Sequence, residues 1–243
     1  MSIVTPYKDN TKSKKEQVAT MFDNIAPKYD FLNQLLSMGI HKSWRRKSID
    51  LLKEFQPETI LDIATGTGDF AIEAMKLYPK KIVGVDISEG MLKLGVEKIK
   101  KLGLQNTVEL KSGDSENLPF SDNSFDAITV GFGVRNFENL EKGIKDIFRV
   151  LKKNGTLVIL EFSKPKGFPI KSIYNFYFKY ITPTVGKIFS KDSSAYTYLP
   201  ESVKAFPDGD DFLMVLNKAG FKESRAISLT FGIATIYFCR KTQ

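Results

Sequence analysis

Three groups of residues have types and spacings suited to chemistry. The first is the turn Ala64-Thr65-Gly66-Thr67-Gly68-Asp69, which follows the mostly apolar run Ile60-Leu61-Asp62-Ile63. The second is Asp86, which closes the run Lys81-Ile82-Val83-Gly84-Val85 and stands 20 residues past Gly66. An acid at that distance from a glycine turn can accept hydrogen bonds from both hydroxyls of a ribose. The third is Gly113-Asp114-Ser115. There, Asp114 can accept from an adenine amino group while the Ser115 amide donates to the ring, although the same tripeptide is also ordinary turn chemistry. Together the three groups describe a nucleoside site.

The charge around the glycine turn decides which nucleoside. Gly66, Gly68 and Ala71 also fit the dinucleotide fingerprint G-x-G-x-x-G/A. A pyrophosphate needs bare amides and the positive end of a helix there, and the carboxylates of Asp62 and Asp69 oppose it. S-adenosylmethionine carries an ammonium and a sulfonium and no phosphate, so an acidic turn suits it. The residues therefore favour a methyl donor over a nicotinamide cofactor. Asp62 has two open roles: reaching the donor's ammonium through the loop or water, or bracing the loop amides.

These groups need strands and helices to hold them. Apolar runs predict strands at 59–63, 81–86, 107–111, 125–131 and 155–162, alternating with helices at 69–78, 88–102 and 138–151. Alternation with short turns implies a parallel sheet. A further helix at 207–219 and two strands at about 221–229 and 231–240, with Gly232 at the turn, add an antiparallel hairpin. The expected fold is α/β and Rossmann-like, a seven-stranded and mostly parallel sheet in the form used by class I S-adenosylmethionine-dependent methyltransferases. Ahead of it, Val18, Met21, Phe22 and Ile25 share a helical face, Pro27 interrupts, and Gly39 separates a second helix from one over 41–55. Residues 1–57 thus read as a helical arm able to cover the ligand, and 58–243 as the catalytic domain. Within the latter, an aromatic insertion at about 165–205 is densest over 165–198: Phe168, Tyr174, Phe176, Tyr177, Phe178, Tyr180, Phe189, Tyr196 and Tyr198.

Composition removes several function classes. The single cysteine, Cys239, excludes an internal disulfide framework and fits a reducing cytoplasm. No Cys/His cluster suggests a metal site, no signal-peptide core is present, and no apolar run approaches the ~20 residues of a membrane span. The net charge of +8, from 36 Lys+Arg against 28 Asp+Glu, suits an anionic membrane face or nucleic acid. No basic, aromatic-interleaved RNA-binding signature accompanies it, so no nucleic-acid partner is expected.

Longer motifs give a more specific reading. Tyr29-Asp30-x-x-Asn33-x-x-Leu36-Ser37-x-x-x-His41-x-x-Trp44, Phe132-Gly133-x-Arg135-Asn136, Arg149-Val150-Leu151-Lys152-x-x-Gly155-x-Leu157-x-x-Leu160-Glu161-x-Ser163 and Tyr198-Leu199-Pro200-Glu201-Ser202 occur in this order. From about Val18 to Phe238 the chain resembles the C-methyltransferases of menaquinone and ubiquinone biosynthesis. Leu32 stands where that family usually has methionine, and Lys153-Asn154 replaces a usual Pro-Gly turn. The resemblance implies methyl transfer from S-adenosylmethionine to a ring carbon of a reduced polyprenyl quinone, a naphthoquinol or alternatively a benzoquinol. It also implies donor contacts at Thr67, Asp86 and Asp114-Ser115. A serine of that set is replaced by Gly131, leaving only a backbone contact there. Gly66, Gly68 and Asp62 complete the expected donor site.

A quinol ring carbon becomes nucleophilic when its hydroxyl loses or shares its proton, so a base or phenolate-stabilising group must face the donor. The candidates are Tyr29, Asp30, His41, Arg135 and Asn136. Arg135, always cationic, suits charge stabilisation better than proton removal. His41 titrates in the right range but, at i, i+3 from Trp44, also reads as a packed helix face. The isoprenoid tail would lie in a bilayer, and the aromatic insertion with Lys164, Lys166, Lys171 and Lys179 suits transient contact with the inner face of the cell membrane. The same residues also suit a lid packed on its own core.

Overall fold

The computed structural model describes residues 4–7, 11–181, 184 and 194–242. Seven strands form one sheet: β1 (Thr59–Ile63), β2 (Lys81–Asp86), β3 (Val108–Ser112), β4 (Phe125–Gly131), β5 (Leu151–Phe162), β6 (Lys222–Leu229) and β7 (Ala234–Arg240). Their order is β3-β2-β1-β4-β5-β7-β6. All neighbours are parallel except that β7 runs antiparallel to both β5 and β6. This is the sheet that the sequence predicted. Strand order reverses between β1 and β4, and an open α/β sheet places its ligand crevice at the carboxyl ends of such a pair.

The central strands are apolar along their length because both faces are covered. On one face, Leu61, Ile63 and Ile128 pack against Ile144, Ile147 and Val150 of α6 (Leu140–Val150) and Phe212 and Leu216 of α9 (Asp210–Lys218). On the other, Ile60, Ile82, Ala127 and Val158 meet Phe70, Ala71 and Ala74 of α4 (Asp69–Ala74), together with Trp44 and Ile49 of α3 (Ile40–Asp50). Fully burying each such aliphatic side chain is worth roughly 1.5–3 kcal/mol. Helix α5 (Glu89–Lys101), capped by Ser88, links β2 to β3. In β5, residues 152–155 bulge outward between the pairs Phe125↔Leu151 and Ala127↔Thr156.

The arm begins with α1 (Lys14–Ile25), whose start is fixed by a capping box between Ser13 and Glu16. Pro27 lies in a 3-10 turn that leads into α2 (Tyr29–Leu36), and Gly39 at φ 79° starts α3. The helix expected over 41–55 stops at Asp50. There the Leu52 amide bonds to the Ile49 carbonyl, tightening the chain so that Leu52 is fully buried.

The aromatic insertion is not one uniform lid. Helix α7 (Ile170–Phe176) runs on as a π-helical turn, Tyr177–Ile181, and α8 (Ser194–Ala205) is a separate helix. Phe189 lies outside the described residues. Ala195, Tyr196 and Tyr198 of α8 are buried with Val18, Met21, Ile25 and Leu32, so arm and insertion share a third core. Among the described residues, no helix is long and apolar enough to cross a membrane.

Candidate active site

Two cavities open at the carboxyl ends of the strands. The smaller, about 70 Å³, is lined by Gly66, Asp86, Ile87, Asp114, Ser115, Glu116, Gly131 and Asn136, with Lys15, Val18 and Phe22 of the arm. Asp86 sits at its floor. One carboxylate oxygen accepts from the Gly66 amide at 2.8 Å and the other from the Ser88 amide at 2.9 Å. The Ile87 amide also bonds this carboxylate. Of about four acceptor sites on an ionised carboxylate, one remains for a ribose hydroxyl. Burial pushes the Asp86 pKa up, and the Ser88 and Gly66 amides oppose the shift. Acidic groups and loop amides at the strand ends fit the expected methyl donor, and Asn136 adds a buried side-chain oxygen, Oδ1, that has no partner in the protein.

The other expected donor residues take different places. Asp62 is buried behind the turn, accepting from Thr65 Oγ1 at 2.5 Å and Thr129 Oγ1 at 2.7 Å. Both its oxygens are engaged inside the fold, so its geometry is that of a loop brace, and burial pushes its pKa up to about 6. The Thr67 hydroxyl points to the arm, donating to Asp30 Oδ1 at 2.8 Å. Gly68, at φ 81°, starts α4 and lines neither cavity. Gly131 has a definite steric reason: a Cβ there would lie 2.5 Å from the Phe70 ring. The ring fills the volume a serine side chain would need.

The arm is anchored to the catalytic domain at three points. Lys14 Nζ donates to the Phe137 carbonyl at 2.8 Å, and Lys15 Nζ pairs with Asp114 at 2.5 Å. Burial lowers the Lys14 pKa to about 8. Asp23 accepts from Ser88 Oγ at 2.7 Å and from the Gly90 amide at 2.8 Å. Asp30 meets Lys98 at 2.6 Å as well as Thr67, and Lys98 also reaches Asp69 at 2.9 Å. Asp30 is therefore held in a clamp between arm and glycine turn.

The larger cavity, about 730 Å³, shares Phe22, Tyr29, Ala64, Gly66, Gly131 and Phe132 with the smaller. Its wall is mostly apolar and rich in aromatic residues. Phe132 and Phe162 stack with centroids 4.6 Å apart, Trp44 lies 6.3 Å from Phe132, and Phe178 lies 6.5 Å from Phe162. Tyr29 stands where the cavities join, and burial raises its pKa while Asn33 hydrogen-bonds its hydroxyl. Arg135 points into the larger cavity over the Phe162 ring at 5.5 Å. One of its terminal nitrogens pairs with the fully buried Glu161 at 2.7 Å, and its Nε is buried without a partner. His41 lines the same cavity, with Nδ1 2.5 Å from Ser37 Oγ; burial and Arg45 lower its pKa, which keeps the ring neutral at pH 7.

Of the five candidate acceptor residues, Tyr29, His41 and Arg135 line the larger cavity, Asn136 the smaller, and Asp30 neither. Sequence reasoning did not single out Glu161, Lys15, Lys98 or the hydroxyls of Tyr174 and Tyr198. Glu161 had a signal: like Asp86, it is an acid closing an apolar run, Leu157-Val158-Ile159-Leu160. The two lysines had none, because their partners lie far away in the chain.

Comparison with known proteins agrees with this geometry. The ubiE/COQ5 methyltransferase family matches residues 10–241. A demethylmenaquinone methyltransferase of Bacteroides fragilis is 52% identical over 239 residues, covering 98% of this chain and 97% of that protein. A ubiquinone/menaquinone biosynthesis C-methyltransferase, UbiE, of Geotalea daltonii is 45% identical, covering 92% and 96%. In fold, a SAM-dependent methyltransferase of Thermotoga maritima superposes with a TM-score of 0.64 at 20% identity, covering 92% of this chain and 99% of that one. With a full-length match and a donor pocket and aromatic cavity that meet at Gly66, Tyr29 and Gly131, the chain belongs to the ubiE/COQ5 methyltransferase family.

Proposed function

We propose that this enzyme transfers a methyl group from S-adenosylmethionine to a ring carbon of demethylmenaquinol, giving menaquinol and S-adenosylhomocysteine. The observation that carries the reading is the meeting of a small pocket that holds Asp86, Asp114 and Ser115 with a large, mostly apolar cavity rich in aromatic residues, along one shared wall. When bound, S-adenosylmethionine supplies a methyl group already activated by its sulfonium. The chain's own work is alignment and exclusion of water, worth up to ~7–11 kcal/mol in favourable cases. Asp86 holds the ribose, Asp114 and Ser115 take the adenine edge, and the glycine turn braced by Asp62 supplies backbone contacts. The arm, fastened through Lys14, Lys15, Asp23 and Asp30, acts as the cover.

Methylating a ring carbon releases one proton overall, and charge builds on a ring oxygen first. Arg135 stabilises that oxygen, and Tyr29 offers an O–H at the junction, since burial keeps its phenol protonated. Asn136 orients the reacting edge. Asp30, committed to Thr67 and Lys98, positions the arm and does not touch the ring.

The isoprenoid tail leaves through the mouth of the larger cavity. Met38 (89% exposed), Phe231 (78%), Ile173 and Ile40 line that mouth, and Phe168 and Phe176 of the insertion are also exposed. Such a rim, with Lys42, Lys171 and Lys179 in the same segments, suits peripheral contact with an anionic bilayer at its cytoplasmic face. Labelled S-adenosylmethionine offered with demethylmenaquinol, and separately with the benzoquinol of the ubiquinone pathway, tests the assignment. Methylation of the benzoquinol alone reverses it.

A further inference from the structure

The larger cavity holds two tyrosine hydroxyls that the proposed reaction leaves unused. Tyr174 Oη and Tyr198 Oη are buried with no hydrogen-bond partner in the protein, as is Arg135 Nε beside them. All three residues line the larger cavity and none lines the donor pocket. Buried polar atoms without partners are rare in folded proteins and costly to keep. Three of them in residues that line one mostly apolar cavity mark a place where a ligand can supply the partner.

Both tyrosines are rigidly held. Tyr198 is only 2% exposed, its ring packed in the core that α8 shares with Val18, Met21 and Leu32. Tyr174 stacks against Phe178 with centroids 4.4 Å apart. The hydroxyls therefore have little freedom to turn elsewhere. Burial pushes both phenols well above the usual tyrosine range, with Arg135 opposing the shift. They stay protonated and offer O–H groups as well as lone pairs. The nearby guanidinium is paired with Glu161, and the two phenols bring no charge of their own. Two neutral phenols suit a neutral oxygen on a flat apolar body.

We propose that Tyr174 and Tyr198 are specificity-determining residues, which together hydrogen-bond an oxygen substituent of the acceptor ring on the side away from the donor pocket. The inference rests on the quinol-methyltransferase reading above and extends it: the acceptor must carry a ring oxygen at that edge. A hydroxyl there can donate to one tyrosine and accept from the other. An analogue lacking the oxygen leaves both tyrosines unpaired, which is how a site built to bond a substrate oxygen rejects the deoxygenated compound.

The test uses the full chain as Tyr174→Phe, Tyr198→Phe and the double variant. Steady-state kcat and KM are measured for demethylmenaquinol and for the same prenylated ring lacking one oxygen, alongside donor Kd by calorimetry and Tm. Two neutral hydrogen bonds predict a roughly 10- to 100-fold fall in kcat/KM for the double variant, mostly in KM. Donor Kd should stay within about twofold, and Tm should hold or rise because an unpartnered buried hydroxyl has been removed. On the deoxygenated ring, wild type and double variant should be equally poor. A Tm that does not fall while KM rises is a signature that a purely structural tyrosine cannot give. An unchanged kcat/KM for demethylmenaquinol, as expected if only water met these hydroxyls, overturns the inference and leaves the function standing. So does an equal loss on both acceptors. A wild-type enzyme that methylates neither quinol overturns both.

Discussion

Replacing Arg135 separates a charge-stabilising role from a structural one, provided that Glu161 is treated at the same time. The Arg135 side chain is 8% exposed and that of Glu161 is fully buried, with 2.7 Å between them. Glu161 also accepts from the Phe162 amide at 2.8 Å. Arg135→Ala strips the partner from a buried carboxylate, a change that costs about 3–5 kcal/mol, against a typical total stability of ~5–15 kcal/mol. Glu161 responds by keeping its proton: burial already pushes its pKa up, and Arg135 is the chief opposing influence. A carboxyl whose folded pKa is raised adds stability that is fully present below the ordinary glutamate value of about 4.3 and is lost as pH rises through the raised value. Arg135→Ala should therefore approach wild-type stability in acid and fall away toward neutral pH. Adding Glu161→Gln removes the stranded charge and should recover most of the loss. The rate should not recover. Losing one donor aimed at a developing oxyanion costs on the order of 10²–10³ in rate, or about 2.7–4 kcal/mol of barrier. Arg135→Lys should rescue only partly, since an ammonium lacks the planar fork. Urea unfolding across pH, donor calorimetry and single-turnover methylation together decide the matter. A well-folded Arg135→Ala/Glu161→Gln enzyme that turns over at the wild-type rate would refute the assignment, leaving Arg135 as the counter-ion of Glu161.

Asp86→Ala should weaken donor binding by ~10–100-fold, the range for hydrogen bonds to a charged group, with the fold intact; an unchanged calorimetric Kd rejects the ribose contact. Asp62→Asn should be more stable than wild type at pH 8, by up to about 3 kcal/mol for a pKa raised from 3.8 to about 6. The gap should close below pH 4, where both forms are neutral, and denaturation curves with a pH-independent gap would contradict the buried charge. His41→Ala should lower Tm more than the single-turnover rate, because Nδ1 is already engaged with Ser37; a folded but inactive variant moves the base to His41. Met38→Glu with Phe231→Glu should reduce sedimentation with anionic vesicles while leaving turnover of a short-tailed quinol within about twofold, and undiminished vesicle binding removes the proposed membrane rim.

The sheet and the donor loops were legible because their signals are local. β1, β2 and β4 have the bounds read from their apolar runs, and Asp86 and Asp114 sit at strand ends, facing the smaller cavity. Less was legible where a contact between distant residues decides the outcome. Thr67 lies in a donor-binding turn by sequence, yet its hydroxyl turns to Asp30, 37 residues earlier. Asp62 was open between ammonium contact and loop brace, and two threonine hydroxyls, one on neighbouring β4, occupy it. The aromatic insertion carried no periodicity separating α7, which lines the cavity, from α8, which both lines it and packs into the arm. Gly131 in place of serine is explained only by Phe70, whose position depends on how α4 meets the sheet.

The two cavities are assembled by different rules, and the difference bears on which parts of the site tolerate change. The proposed donor contacts come from loops at the ends of five-to-seven-residue strands; β1 and β2 are held by hydrogen bonds on both sides, and the edge strand β3 by β2 alone. Of the polar groups proposed to face the acceptor, Glu161 sits near the end of β5 and Arg135 in the 3-10 turn Val134–Asn136 that follows β4, and their ion pair ties the two together. The rest of the acceptor wall comes from elements added to the sheet: Tyr29, Leu32, Leu36 and His41 from the arm, Tyr174 and Phe178 from the first half of the insertion, and Tyr198 from α8. Arm and insertion pack on one another through the core shared by Val18, Met21, Leu32, Tyr196 and Tyr198, while Trp44 and Ile49 of α3 pack on the sheet. The arm is also tied to the glycine turn through Asp30 and Thr67, so acceptor wall and donor side are coupled. The same coupling has a cost. The arm closes the donor pocket through Lys15 and the acceptor cavity through Tyr29, so a displacement that widens one must shift the wall of the other.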